Sequence, residues 1–305
     1  MADATSLNDA LAANYLLVDL RARSWAGKRT DRTASNEVLA SKHATSDGGA
    51  FVKNLLAGAK QELDEVHALT NAVRSFVYAR TLAWSSSSDD GARRGERLLS
   101  SSEAMGFLVE LNTLKKERDR AVLALQSVWA QRVAEAMRNL GGLANADDYP
   151  DASALPGMFS ITVDIRPVPA VADFQRLNVP AELASALGQR AMDQAQVQVA
   201  NALKEMQERF IEELTRVGTQ MAKHGAGEKT RLYSTLITNL QGLVSMARNM
   251  NLNQNPKLAE LADKIEAKLL QFPVEVYRAD PERAKAVAAE AQALVAEANM
   301  EEVWQ

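Results

Sequence analysis

Between Asn178 and His224 apolar residues return every three or four positions: Leu183, Leu187, Ala191, Ala195, Val199, Ala202, Met206, Phe210, Leu214, Val217 and Met221. No proline follows Pro180 in this stretch and Gly188 is the one glycine before Gly218, so the spacing predicts a single long helix with one continuous apolar stripe. At about 1.5 Å of rise per residue it would be roughly 65 Å long. A rod of that length needs cover along its whole stripe, from other long helices or from a second copy of the chain.

The same spacing recurs twice upstream. Phe51, Leu55, Ala59, Leu63, Val66, Thr70, Val73 and Val77 predict a helix over about 48–80, and Phe107, Leu111, Leu114, Ala121, Leu125, Val128, Val133, Met137 and Leu140 predict another over 103–140, stopped by Gly141-Gly142. Period two appears instead at 16–25, where Leu16, Val18, Leu20 and Ala22 alternate with Asp19, Arg21, Arg23 and Trp25. It appears again at 159–166, where Phe159, Ile161, Val163 and Ile165 alternate with polar residues until Pro167. These two half-polar strands, with a third short one around Asp173 to Leu177, suit a small antiparallel sheet. A turn at 26–29 leads into a short helix over 33–43, and the Ser/Asp/Gly-rich stretch 85–102 reads as a mobile loop. After a hinge at Gly225-Ala226-Gly227, helices are expected over 229–250, 257–271 and 281–301, the last with Asp280 as N-cap and Pro281 at the first helical position. The expected fold class is mainly α (α+β): long antiparallel helices packed as an elongated bundle with a small antiparallel β-sheet. The expected division is a core over 1–225 and a C-terminal helical region over 226–305.

Composition narrows the chemistry more than it names it. The 305 residues hold no cysteine, which excludes disulfides, thiolate metal sites and a Cys nucleophile, and three widely spaced histidines, His43, His67 and His224, argue against a histidine metal cluster. No signal peptide or membrane-spanning run stands out, so a soluble, cytoplasmic protein with no membrane partner is expected. The formal net charge is −4, but residues 1–140 carry 19 Lys+Arg against 17 Asp+Glu while the remainder carries 16 against 22. An anionic partner on one face is compatible with that asymmetry. No phosphate-cradling glycine loop, H-E-x-x-H or G-x-S-x-G occurs, so no catalytic residue, cofactor or metal ligand is assigned and an enzyme is not expected.

Two segments combine cations with an aromatic ring outside the helical stripes: Arg21, Arg23, Trp25, Lys28, Arg29 and Arg32, and then Arg80, Trp84, Arg93, Arg94 and Arg97. Cations neutralise phosphates and an indole offers a flat surface for an unstacked base, so both suit single-stranded nucleic acid. On the period-two pattern Arg21, Arg23 and Trp25 would project together from the strand face opposite Leu16, Val18 and Leu20. The alternative is that Trp25 and Trp84 anchor strand and loop to the helices while the cations solvate the surface. The charged run LKKERDR at 114–120 is likewise either a solvated helix face or a phosphate-facing one, and Trp129 is expected in the core.

The run YARTLAW at 78–84, RLL at 97–99, DDYP at 147–150 and MFSITVDIRPVPAVADFQRL at 158–177 resemble, in this order, a family of phage and plasmid proteins. Within it the chain is most similar to the single-stranded-DNA-binding RNA polymerase cofactors of podoviruses that encode their own RNA polymerases. It departs from the wider pattern in a longer, serine-rich insert after Trp84. The resemblance spans roughly residues 15–300 and implies a helical, non-OB fold. It also implies a transcription cofactor that binds single-stranded DNA at opened promoters and recruits the phage RNA polymerase. A helical adaptor that docks an ATPase or polymerase without touching nucleic acid is the alternative, and an enzyme with an unrecognised site the third reading. Self-association is expected if flanks of the long stripe stay uncovered. The acidic helix 281–301 would repel DNA and face a protein partner.

Overall fold

The computed structural model describes residues 4–85, 95–176 and 178–304. In chain order its elements are α1 (Ala4–Asn14), β1 (Tyr15–Arg23), β2 (Lys28–Asp31), α2 (Arg32–Ser41), β3 (Phe51–Asn54), α3 (Gln61–Arg80), β4 (Leu82–Ser85), β5 (Glu96–Ser100) and α4 (Ala104–Leu140). They continue with α5 (Leu155–Met158), β6 (Ser160–Pro167), α6 (Val171–Gln175), α7 (Ala181–Gly225), α8 (Thr235–Asn249), α9 (Pro256–Leu269), α10 (Val274–Ala279) and α11 (Pro281–Ala298). The protein is mainly α with a four-stranded antiparallel sheet, as the pattern predicts. Strand order is β4-β5-β1-β6, and β2 and β3 form a separate antiparallel ribbon.

Contacts divide the chain into two compact units, residues 1–19, 77–107 and 164–305 in the first and 20–76 and 108–163 in the second. The division does not fall at residue 225. In the first unit α7 is the organising helix: from Ala195 through Val199, Ala202, Met206, Phe210, Leu214 and Val217 to Met221 its stripe is buried. The cover comes chiefly from α11, with α8, α6, α1 and β4 beside it. The expectation that the helices at 48–80 and 103–140 would share this stripe is thereby corrected. The cause is the composition of α11, whose Ala284, Val287, Ala288, Ala291 and Leu294 form a narrow small-residue face that lies close along α7. In the second unit α3 and α4 meet through Leu63, Val66, Ala121, Val122, Leu125 and Trp129.

Three expected elements are replaced and a fourth is shortened. Residues 51–54 are a strand paired with β2 and not the start of a helix, which begins only at Gln61. The break is at Gly58, whose φ of +71° and whose approach to the Asn139 amide leave no room for a Cβ. Apolar spacing of four had been satisfied by a strand and a helix laid end to end. The stretch expected as a loop over 85–102 contains β5, whose Leu98 and Leu99 are both buried between β4 and β1, so it lacks the alternation of a half-exposed strand. Residues 86–94 of that stretch lie outside the described residues. The third strand expected at Asp173 to Leu177 is the helix α6: Asp173 accepts the Ala170 amide at 2.9 Å in the first turn after Pro169, a helix-start arrangement. Leu177 itself is outside the described residues. Finally α8 begins at Thr235 and not at 229.

Candidate nucleic-acid interface

The first cationic segment lies wholly in the second unit. β1 ends at Arg23, two residues before Trp25, and the chain then turns through Gly27, which has φ +65° and would place a Cβ 2.7 Å from the Leu63 side chain. Because of that turn Trp25 does not share the face of Arg21 and Arg23. Its ring meets Trp129 edge-on at 5.5 Å, and its carbonyl lies 2.8 Å from His67 Nε2. Trp129 in turn donates to the Pro150 carbonyl at 2.9 Å and packs edge-on against Tyr149. Of the two readings open for Trp25, anchoring is the one its contacts describe.

On the β2–β3 ribbon alternate residues face opposite sides. Arg29, Asp31 and Lys53 share one side, where Lys53 bridges Asp31 at 2.8 Å and Asp148 at 2.6 Å and Arg29 reaches Asp148 at 3.1 Å. Donating to the Asp148 and Asp31 carboxylates raises the Lys53 pKa, and accepting from Lys53 lowers that of Asp31. Arg29 therefore belongs to a charge-balanced network. Arg21, Arg23, Lys28 and Arg32 are exposed, and Arg23, Lys28 and Arg32 make no ion pair or hydrogen bond through their side chains among the described residues. Arg32 also opens α2, where a cation is disfavoured by the helix dipole, so no folding advantage explains it.

The second segment lies in the first unit and is built differently. Arg97 is only 4% exposed. Its guanidinium donates to Thr81 Oγ1 at 2.7 Å, to the Thr81 carbonyl at 2.9 Å and to both oxygens of Glu205 at 2.9 and 3.2 Å. Arg209, one turn beyond Glu205, donates to the same carboxylate at 2.5 Å and to the Tyr78 carbonyl at 2.9 Å. The Tyr78 ring lies 4.8 Å from the Arg97 guanidinium carbon and 3.6 Å from that of Arg209, and the Ala83 amide donates to Glu205. Burial would raise the Glu205 pKa, but the two arginines outweigh it and the carboxyl is held low; burial lowers that of Arg97. Trp84 is 8% exposed and lines one wall of a cleft of about 260 Å³ with Phe174, Gln194, Gln198 and Arg166. Arg80 is exposed, 3.6 Å from Glu103. Arg93 and Arg94 lie outside the described residues.

Elsewhere, Arg118 of the charged run LKKERDR is buried on the core stripe of α4, with its guanidinium 5.8 Å from the Phe159 ring, so that run is not a fully solvated face. Among the described residues no group of three or more His, Asp or Glu is placed to hold a metal ion, and no helix is long and apolar enough to cross a membrane. One aromatic residue that the sequence pattern did not single out is solvent-facing: Tyr233 is 58% exposed, beside Arg231. It stands three residues before Leu236 and would have continued the buried stripe had α8 begun at 229.

The chain is thus a mainly α protein with a small antiparallel sheet and an exposed cationic segment on its second unit. Compared with models of protein families, with curated proteins and with solved structures, it matches none.

Proposed function

We propose that the protein binds single-stranded DNA and acts as a transcription cofactor that recruits a phage RNA polymerase to opened promoters, as the podoviral cofactors it resembles do. One observation supports the DNA-binding half from the residues themselves. Arg23, Lys28 and Arg32, within ten residues of chain, are exposed and have no carboxylate partner among the described residues, while their neighbour Arg29 pairs with Asp148. Unpaired surface cations that stabilise nothing in the fold are the groups that exchange counterions for phosphates. With Trp25 packed on Trp129 and Trp84 buried, contact at this segment is to the backbone of the strand, and base preference there is weak.

The test is a titration of labelled oligodeoxythymidylate and of its duplex across a salt series. Tighter binding to the single strand, weakening as salt rises with a slope of about 0.7 per phosphate contacted, is the expected result. Absence of binding at low salt would overturn the proposal and favour an adaptor that touches only protein.

A further inference from the structure

We propose that the connection between α7 and α8 is a second contact for single-stranded nucleic acid, in which Tyr233 stacks on one unpaired base while Lys223, Lys229 and Arg231 meet the adjoining phosphates. The inference rests on the single-strand-binding reading above and adds to it a site of a different kind, on the other unit.

The geometry is that of a fixed platform. The end of α7 closes with Ala226 donating to the Ala222 carbonyl at 2.9 Å and Gly227, at φ +77°, donating to the His224 carbonyl at 3.0 Å. Leu232 then plugs into the core, and its carbonyl accepts from Arg278 Nε at 2.8 Å. His224 Nε2 lies 3.2 Å from the Arg278 carbonyl, so the same residue ties both ends of the connection. With Leu232 held inward, its neighbour Tyr233 faces out. The ring is 58% exposed and its hydroxyl makes no hydrogen bond among the described residues. A tyrosine held at the surface with no hydrogen bond for its hydroxyl has no evident structural role of its own.

The charges around the ring select the ligand. The Arg231 guanidinium lies 5.4 Å from the ring centroid, and Lys223, Lys229 and Arg231 make no ion pair among the described residues. Of the nearby carboxylates, Glu275 is paired with Arg278 at 3.3 Å and Glu282 with Lys285 at 2.6 Å, which leaves Glu228. A membrane surface or an apolar protein groove would call for several exposed apolar side chains. Here Leu236 and Ile237 are buried and Tyr233 is the one exposed large apolar residue between Val197 and Phe272 among the described residues. One flat ring beside the Arg231 guanidinium, in a stretch of chain that also carries Lys223 and Lys229, fits a planar base carried on a polyanion.

Parent, Tyr233→Ala, Tyr233→Phe and the double variant Lys229→Ala/Arg231→Ala are compared by fluorescence anisotropy on oligodeoxythymidylate over a salt series, with circular dichroism as the check on folding. Stacking of one base predicts that Tyr233→Ala weakens binding by roughly 5- to 100-fold at unchanged salt slope, and that Tyr233→Phe binds like the parent. The double variant is expected to weaken binding and lower the slope by about 1.4, the share of two phosphates. A folded Tyr233→Ala that binds like a binding-competent parent overturns this site and leaves the proposed function standing. A parent that does not bind at all overturns both.

Discussion

Glu205 is buried in the first unit between two buried arginines, Arg97 and Arg209, and accepts from both. Removing one partner of a buried charge cluster strands the others in low dielectric, at a cost of about 3–5 kcal/mol. Glu205→Gln is therefore expected to lower the midpoint of urea denaturation markedly at neutral pH. The pH dependence has a definite sign: Arg97 and Arg209 hold the folded carboxyl below the usual glutamate range, so its stabilisation is complete above that range and is lost as pH falls through the lowered folded value. A parent that loses no stability on acidification below pH 4.5, alongside a Gln variant of equal midpoint, would contradict this role. The cluster also explains what the landmark YARTLAW does: Tyr78, Thr81 and Ala83 each contact it, and Arg97 of RLL lies at its centre. DDYP is structural in the same way, with Asp148 on Lys53, Tyr149 donating to the Leu55 carbonyl at 2.6 Å and the Pro150 carbonyl accepting from Trp129. None of this was legible in the sequence, where an arginine that will be buried against a glutamate 108 positions away looks like any surface arginine. Trp25 carries the same lesson. Trp25→Ala is expected to destabilise the second unit, the lost ring pair alone contributing about 0.5–1.5 kcal/mol. An unchanged melting temperature would return Trp25 to the list of candidate stacking surfaces.

Elements were legible where one face is buried and the other solvated. α4 and α7 have the ends their stripes predict within a few residues, and Asp280 caps α11 by accepting the Arg283 amide at 3.0 Å. Asp280→Ala is expected to cost about 1 kcal/mol, read from thermal melts; no change would mean that α11 is held by packing alone. Elements buried on both faces, or set by a distant partner, escaped: β5 shows no alternation, and β2 and β3 are defined only by each other. The acidic C-terminal helix illustrates how charge can mislead. Its glutamates face outward, Glu290 to Lys268 at 2.5 Å and Glu297 to Lys264 at 2.6 Å, but its other face is core to α7. Truncation at residue 280 would uncover the α7 stripe, and the expected outcome is loss of the first unit's cooperative melt, not a protein with altered DNA affinity.

For the whole molecule, the stripe that first suggested self-association is covered from Ala195 onward by the chain's own helices, while Leu183 at its start stays 47% exposed. Charge is divided by unit: residues 20–76 and 108–163 carry 15 Lys+Arg against 13 Asp+Glu, while the rest of the chain carries 20 against 26. Arg23, Lys28 and Arg32, exposed and without an ion pair among the described residues, sit on the unit with the positive balance, where a polyanion is repelled least. The slope of log affinity against log salt for oligodeoxythymidylate, measured for the parent and for Arg23→Ala/Lys28→Ala/Arg32→Ala, tests the DNA-binding claim most directly. The three side chains are exposed and make no ion pair or hydrogen bond among the described residues, so both proteins are expected to melt alike, with the variant binding more weakly and its slope smaller by roughly two units, the share of three phosphates. Equal affinity and equal slope in two equally folded proteins would show that this segment is not where the strand binds.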